Sequence, residues 1–141
     1  MLLEFTVYGV PRPQGSKRIV TNRRTGRAIP IEASKFLKKY REDIAVTARE
    51  EIKKQYGSGH LPPIGDREAV SVGIGFYFER PKGTTRRSPT VRPDIDKLTR
   101  SVLDALTGIL YADDAQVTHL YVRKRYFSQD ARTLIRVRLD C

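Results

Sequence analysis

The sequence predicts an α/β fold: two helices packed on a mixed β-sheet, in the order strand, helix, strand, helix, strand, strand, within a single domain spanning residues 1–141. Three observations carry that expectation. Val70, Val72, Ile74, Phe76 and Phe78 alternate strictly with Ser71, Gly73, Gly75 and Tyr77, which is the two-residue period of a strand. Two other segments repeat their apolar residues at three- and four-residue steps instead: Leu37, Tyr40, Ile44 and Ala48 in one, and Ile95, Leu98, Val102, Ala105, Leu106 and Ile109 in the other. Finally, 141 residues suffice for one domain with a real core but not comfortably for two.

At the N-terminus Leu3, Phe5 and Val7 alternate with Glu4, Thr6 and Tyr8, a half-buried strand that Pro11 and Pro13 end. Residues 12–27 then carry Arg12, Lys17, Arg18, Arg23, Arg24 and Arg27 among glycines and small polar residues. Ile19 to Thr21 and Ala28 to Ile29 read as two short strands about a turn, making a basic arm suited to phosphates; a merely solvated loop is the alternative. Ser34 to Tyr56 is the first helix, with Ser34 as its N-cap. Gly57, Gly59, Pro62 and Pro63 break it, and His60 in that loop reads as a surface histidine.

The strand at 70–78 follows, and its two glycines on one face point to a close approach by a helix or another chain. Arg80, Lys82, Arg86 and Arg87 lie in a breaker-rich loop that reads either as a mobile basic loop able to hold the scissile strand or as a segment disordered when no DNA is bound. The second helix starts near Ile95 and stops at Gly108. Val117 to Phe127 and Thr133 to Leu139 read as two strands joined by residues 128–131, hence a hairpin, with His119 in phase with Val117 and Tyr121 as an ordinary strand histidine. Arg123, Lys124 and Arg125 add a basic cluster.

With 27 Lys and Arg against 16 Asp and Glu, the chain has a formal net charge of +11 and a pI near 10.1, which favours a polyanionic partner over a purely solvated basic surface. Nucleic acid is favoured over a membrane, because no basic amphipathic helix with a large apolar face stands out and no apolar run is long enough to span a bilayer. The single cysteine, Cys141, excludes an intramolecular disulfide and fits a reducing cytoplasm. The opening MLLEFTVYG places Glu4 inside its apolar stretch and has no basic lead, so it does not read as a signal peptide. The expectation is a soluble cytoplasmic protein.

Against this basic background, the carboxylates between Arg92 and Gln116 need a reason. Asp94 follows Pro93 at the helix start, where it can cap free amides, and Asp96, Arg100 and Asp104 share one helix side at four-residue steps. Asp113 and Asp114 occupy a turn at the entry of the next strand. If that strand returns beside the helix start, three or four carboxylates converge. Oxygen-only ligands with no thiol or imidazole suit Mg²⁺ or Mn²⁺, and such a site serves phosphodiester hydrolysis. The same residues also admit a structural reading: an N-terminal Asp and an Asp96 to Arg100 pair stabilise a helix by about a kcal/mol, and Asp-Asp turns are ordinary. Spacing alone leaves both open.

Taken in order, Pro93-Asp94-Ile95-Asp96, Arg100, Asp104-Ala105-Leu106-Thr107-Gly108 and Asp113-Asp114-Ala115-Gln116-Val117 resemble the RusA-type Holliday junction resolvases, the crossover junction endodeoxyribonucleases of bacteria and their phages. The likeness extends more weakly to Gly9-Val10-Pro11-Arg12-Pro13. It implies a Mg²⁺-dependent nuclease of DNA recombination and repair, with Mn²⁺ as a substitute, that cuts four-way junction DNA by paired nicks. It also implies a homodimer, whose symmetry would match that of the junction.

The resemblance makes Asp94, Asp96 and Asp114 the catalytic, metal-binding residues, with Asp113 as a helper. Arg100 stands where the family often has a catalytic lysine and would neutralise transition-state charge, and Lys97 stands where the family often has Asn. Arg12, Lys17, Arg18, Arg23, Arg24, Arg80, Lys82, Arg86, Arg87, Arg92 and Lys97 are the candidate DNA contacts. A flap or fork nuclease would share every one of these residues, and a non-catalytic basic DNA-binding protein would share the charge alone.

Overall fold

The computed structural model describes residues 2–15, 18–21, 24–26, 28–31, 35–58 and 62–140. Strand β1 (Leu2–Tyr8) leads to a short antiparallel pair, β2 (Arg18–Thr21) and β3 (Ala28–Ile31), and then to helix α1 (Lys35–Tyr56). Strand β4 (Val70–Glu79), helix α2 (Ile95–Leu106), a 3₁₀ turn at Asp114–Gln116, and strands β5 (Val117–Phe127) and β6 (Arg132–Leu139) complete the chain. Two helices thus lie on a mixed four-stranded sheet of order β1-β6-β4-β5, as anticipated. The expected cap Ser34, as well as Lys17, Arg23, His60 and Cys141, fall outside the described residues.

The strand periods decide what is buried. Leu3, Phe5 and Val7 from β1, Val70, Val72, Ile74 and Phe76 from β4, and Ile135 and Val137 from β6 all face one side and are almost wholly buried. Leu37, Tyr40, Ile44, Ala48 and Ile52 of α1 and Leu98, Val102, Ala105 and Leu106 of α2 cover them. Two polar residues enter α2's buried face without leaving an unsatisfied group, since the Thr99 hydroxyl donates to the Ile95 carbonyl and the Ser101 hydroxyl to that of Leu98, both at 2.7 Å. The buried Tyr40 hydroxyl pairs with Thr133 Oγ1, fastening α1 to β6.

Three expectations are corrected. β5 and β6 do not form a hairpin: β5 runs parallel to β4, while β6 lies on β4's other side, antiparallel to both β4 and β1. In the observed order β4, the most apolar strand, has a hydrogen-bonded neighbour on each side. The four residues from 128 to 131 can make this step, which spans about 10 Å, or two inter-strand spacings.

Ile95, expected in the apolar stripe, is 41% exposed, because the first turn of α2 projects beyond the core. Of the two approaches expected at the glycine face of β4, the helix is ruled out among the described residues, since both helices pack on the opposite face, and the ring of Tyr77 lies over Gly75; another chain is the approach that remains.

Candidate active site

Because α2 connects two parallel strands, its two ends lie at opposite ends of the sheet. Its 12 residues rise roughly 18 Å. This topology governs the placement of the motif's carboxylates.

At the N-terminal end the chain arrives through a cis Arg92–Pro93 peptide. Lys124 reaches across from β5 and donates from Nζ to the carbonyls of Val91 at 2.7 Å and Pro93 at 2.9 Å, pinning the backbone directly before Asp94. Asp94 takes the N-cap position with extended dihedrals, and its carbonyl accepts from Leu98 N at 3.1 Å. Its side chain makes no capping hydrogen bond, contrary to expectation. The carboxylate is thereby left to the cleft that Asp94, Ile95, Asp96, Arg92 and Lys124 line. Asp96 pairs with its neighbour Lys97 at 3.4 Å rather than with Arg100, which is exposed one turn further on.

At the C-terminal end the helix stops at Leu106, and Gly108 takes the positive φ of +83° that reverses the chain. Asp113 caps the 3₁₀ turn, its Oδ1 accepting from Ala115 N at 2.9 Å. Gln116 closes a reciprocal capping box: its Oε1 accepts from Ala112 N at 2.9 Å and Asp113 N at 3.1 Å. Its amide nitrogen donates to the carbonyls of Gly65 at 2.8 Å and Glu68 at 3.0 Å, tying the acidic turn to the loop before β4.

The Asp114 carboxyl is held above the ordinary carboxylate range, first by partial removal from water, then by a hydrogen bond with Asp113 and the charges of Asp113 and Asp104. The Tyr111 hydroxyl, which donates to the Leu103 carbonyl at 3.1 Å, is raised by burial and next by the charge of Asp114. Gln14, on the segment after β1, donates from its side chain to Asp104 and from its backbone N to the Lys97 carbonyl at 2.9 Å.

The sequence motif therefore resolves into two sets, Asp94 with Asp96 and Asp104 with Asp113 and Asp114. Among the described residues, no three His, Cys, Asp or Glu side chains converge in a way that would hold a metal ion. The premise that the strand after Asp114 returns beside the helix start does not hold within one chain, because that strand begins at the far end of α2. The donors present are hard oxygens that suit Mg²⁺, but each set by itself is incomplete.

The expected DNA contacts lie in separate regions. The Arg12 guanidinium stacks on exposed Phe36, 5.0 Å from its centroid. The loop between β4 and α2, expected to be mobile or disordered without DNA, is folded against Tyr126: Arg86 Nε donates to the Tyr126 hydroxyl at 2.8 Å, and Arg80 lies over the ring at 5.3 Å. Lys82, Arg87 and Arg92 are exposed beside it, Arg24 is exposed in the turn between β2 and β3, and Arg18 is the first residue of β2.

Sequence reasoning did not name Gln14, and it named Asp104 and Gln116 as parts of the motif and Lys124 as part of a basic cluster without giving them these contacts. For Gln116 a signal was present, since Asp-x-x-Gln is the spacing of a capping box. For Lys124, strand alternation separates it from Arg123 and Arg125 and turns it toward the helix side with Val122.

The chain is thus a basic two-layer α/β protein with its carboxylates gathered at the two ends of a crossover helix. The profile of the family described as endodeoxyribonuclease RusA matches residues 9–138, and the chain belongs to that family. It is also similar to YqaN of Bacillus subtilis strain 168, itself of uncharacterized function, at 30% identity over 149 residues covering 96% of this chain and 95% of the relative.

Proposed function

We propose that this protein is a divalent-metal-dependent, structure-selective endodeoxyribonuclease that acts as a homodimer and resolves four-way junctions by paired nicks. Mg²⁺ is the natural cofactor, and Asp94, Asp96 and Asp114 are its ligands. The observation that carries the reading is the division of the acidic motif between the two ends of α2 in a chain of a junction-nuclease family. A single protomer offers two half-sites, whereas two protomers related by a two-fold axis, with their α2 helices antiparallel, offer two whole ones. Asp94 and Asp96 of one copy would then meet Asp114 of the other, and each dimer would carry a pair of sites, matching the two opposed strands to be cut.

When bound, the metal supplies Lewis acidity to the phosphodiester and its water. The chain's own residues do the rest. Lys124 holds the backbone before Asp94 in place, and Gln116 does the same for the turn bearing Asp114. Arg100, always charged, offers a fixed positive charge to the reacting phosphate. The clustered carboxylates that raise Asp114 repel one another until a cation joins them, so the second half-site favours binding of a cation.

The test mixes two dead proteins. Asp94→Asn and Asp114→Asn are each expected to leave a synthetic four-way junction uncut in Mg²⁺. A shared site predicts that mixing them restores single nicks, because the mixed dimer holds one intact ligand set. If the mixture stays dead while exchange of subunits is verified by mass, the site lies within one protomer. If wild-type protein cuts flaps or forks but no junction, the substrate assignment falls while the chemistry stands.

A further inference from the structure

The face of the sheet opposite the helices is neither polar and solvated nor apolar and covered. Strand alternation places Arg123 and Arg125 of β5 and Arg132, Arg136 and Arg138 of β6 on it, against Glu4 and Glu79. Aromatic rings are interleaved with these cations. Arg132 sits between the rings of Tyr8 and Phe127 at 5.0 and 4.9 Å, Phe127 meets Tyr77 at 5.2 Å, and Arg123 lies over Tyr121 at 5.4 Å while donating to its hydroxyl at 2.8 Å. Tyr8 and Tyr121 nonetheless remain 66% and 59% exposed.

Between these rows runs a furrow made of two adjoining hollows that share Gly73, Tyr121 and Arg136. Its floor at Gly73 has no explanation inside the chain. A Cβ there would meet Arg136 Cβ at 3.8 Å and the Tyr121 carbonyl at 3.9 Å, ordinary contacts, so nothing in the fold requires glycine. Glycine weakens a strand interior, and its presence where a side chain would fit indicates that something outside the chain approaches this backbone.

We propose that this face binds the unpaired nucleotides of a DNA strand, with bases stacking on Tyr121 and phosphates meeting Arg136 and Arg138. The inference rests on the nucleic-acid reading above and extends it to a surface away from the carboxylates. Exposed rings offer a base its π-face whatever the sequence, and the flanking arginines follow the backbone. A second copy seated here would bring five arginines against five with two glutamates per copy to offset them, so charge complementarity selects a polyanion. Such unpaired nucleotides occur in flaps, in forks and in a four-way junction whose crossover has been opened.

The experiment measures anisotropy of a labelled single-stranded oligonucleotide over a salt series, in EDTA to prevent cleavage, alongside mass in solution. Tyr121→Ala and Gly73→Leu are each expected to weaken binding about tenfold. Arg136→Gln with Arg138→Gln is expected to reduce the slope of log K against log salt by about 1.4, two phosphates at roughly 0.7 each. Circular dichroism and thermal melting identify any variant that fails to fold, and Gly73→Ala, which fits the space, then serves in its place.

Unchanged affinity in folded variants overturns the proposal, as does failure of the wild type to bind the oligonucleotide. A drop in mass on Tyr121→Ala also overturns it, by making the face a contact between copies. A wild type that binds through this face yet cuts no junction would sink the nuclease reading and leave this one standing.

Discussion

At the N-terminal end of α2, Asp94 and Asp96 stand in an open cleft with Lys97 and Lys124 beside them. At the C-terminal end the carboxyls of Asp113 and Asp104 raise Asp114, and the turn is held by neutral amides. The same functional group thus has cations for neighbours at one end and other carboxyls at the other. On the proposed reading each end is half of a site. The first end has cations available to hold a phosphate, and the second has the charge excess that a metal ion would relieve.

The largest effect should come from removing either half. Asp94→Asn, Asp96→Asn and Asp114→Asn are each expected to lower junction cleavage by at least 10²-fold, on the order of one lost transition-state contact. Junction binding in EDTA should be unchanged or tighter, since removing a negative charge near phosphate does not weaken attraction. Near wild-type nicking by any two of them would show that the motif is not the site.

Arg100 comes next. Arg100→Ala is expected to lose about 2 to 4 kcal/mol of transition-state stabilisation, read from single-turnover rates, while Arg100→Lys keeps most activity with an unaltered pH profile. A new pH-dependent limb in the lysine variant would mean that proton transfer, rather than fixed charge, is wanted at this position. Arg100→Ala combined with Lys97→Ala should lose more than Arg100→Ala alone, because Lys97 offers the nearest replacement charge.

Gln116 tests whether the second end is built or incidental. Gln116→Ala leaves two backbone amides and two carbonyls without their present partner, so it should destabilise the fold by about 1 to 3 kcal/mol in urea titration and lower cleavage as the acidic turn loosens. Gln116→Glu is expected to do no better, since a carboxylate cannot donate to Gly65 and Glu68 and adds charge beside Asp113. Full activity in both would make Gln116 a bystander.

The smallest effect separates stability from function. Because the Asp114 carboxyl is raised in the folded state, the native protein holds its proton longer than the unfolded chain, and stability falls as pH rises from the ordinary carboxylate range through the raised value. Asp114→Asn should therefore melt slightly higher than wild type at neutral pH in metal-free buffer, and the gap should close below the ordinary carboxylate range. A gap of the same size at every pH would trace it to something other than charge.

Much of this molecule was legible in the chain itself. The two-residue period of Val70 to Phe78 marked β4, the three- and four-residue steps of Leu37 to Ala48 and Ile95 to Ile109 marked the helices, and both periods follow from backbone geometry acting over a few residues. The motif from Pro93 to Val117 likewise named its carboxylates, because residue type and spacing are written in the sequence. What periodicity does not encode is which strand becomes whose neighbour. That residues 128–131 step over β4 instead of closing a hairpin, that α2 is a crossover holding Asp94 and Asp114 apart, and that the glycine face of β4 stays uncovered were decided only when the core was assembled. Placing β4 between β5 and β6 buries the most apolar strand, and that gain belongs to the whole sheet rather than to any one segment.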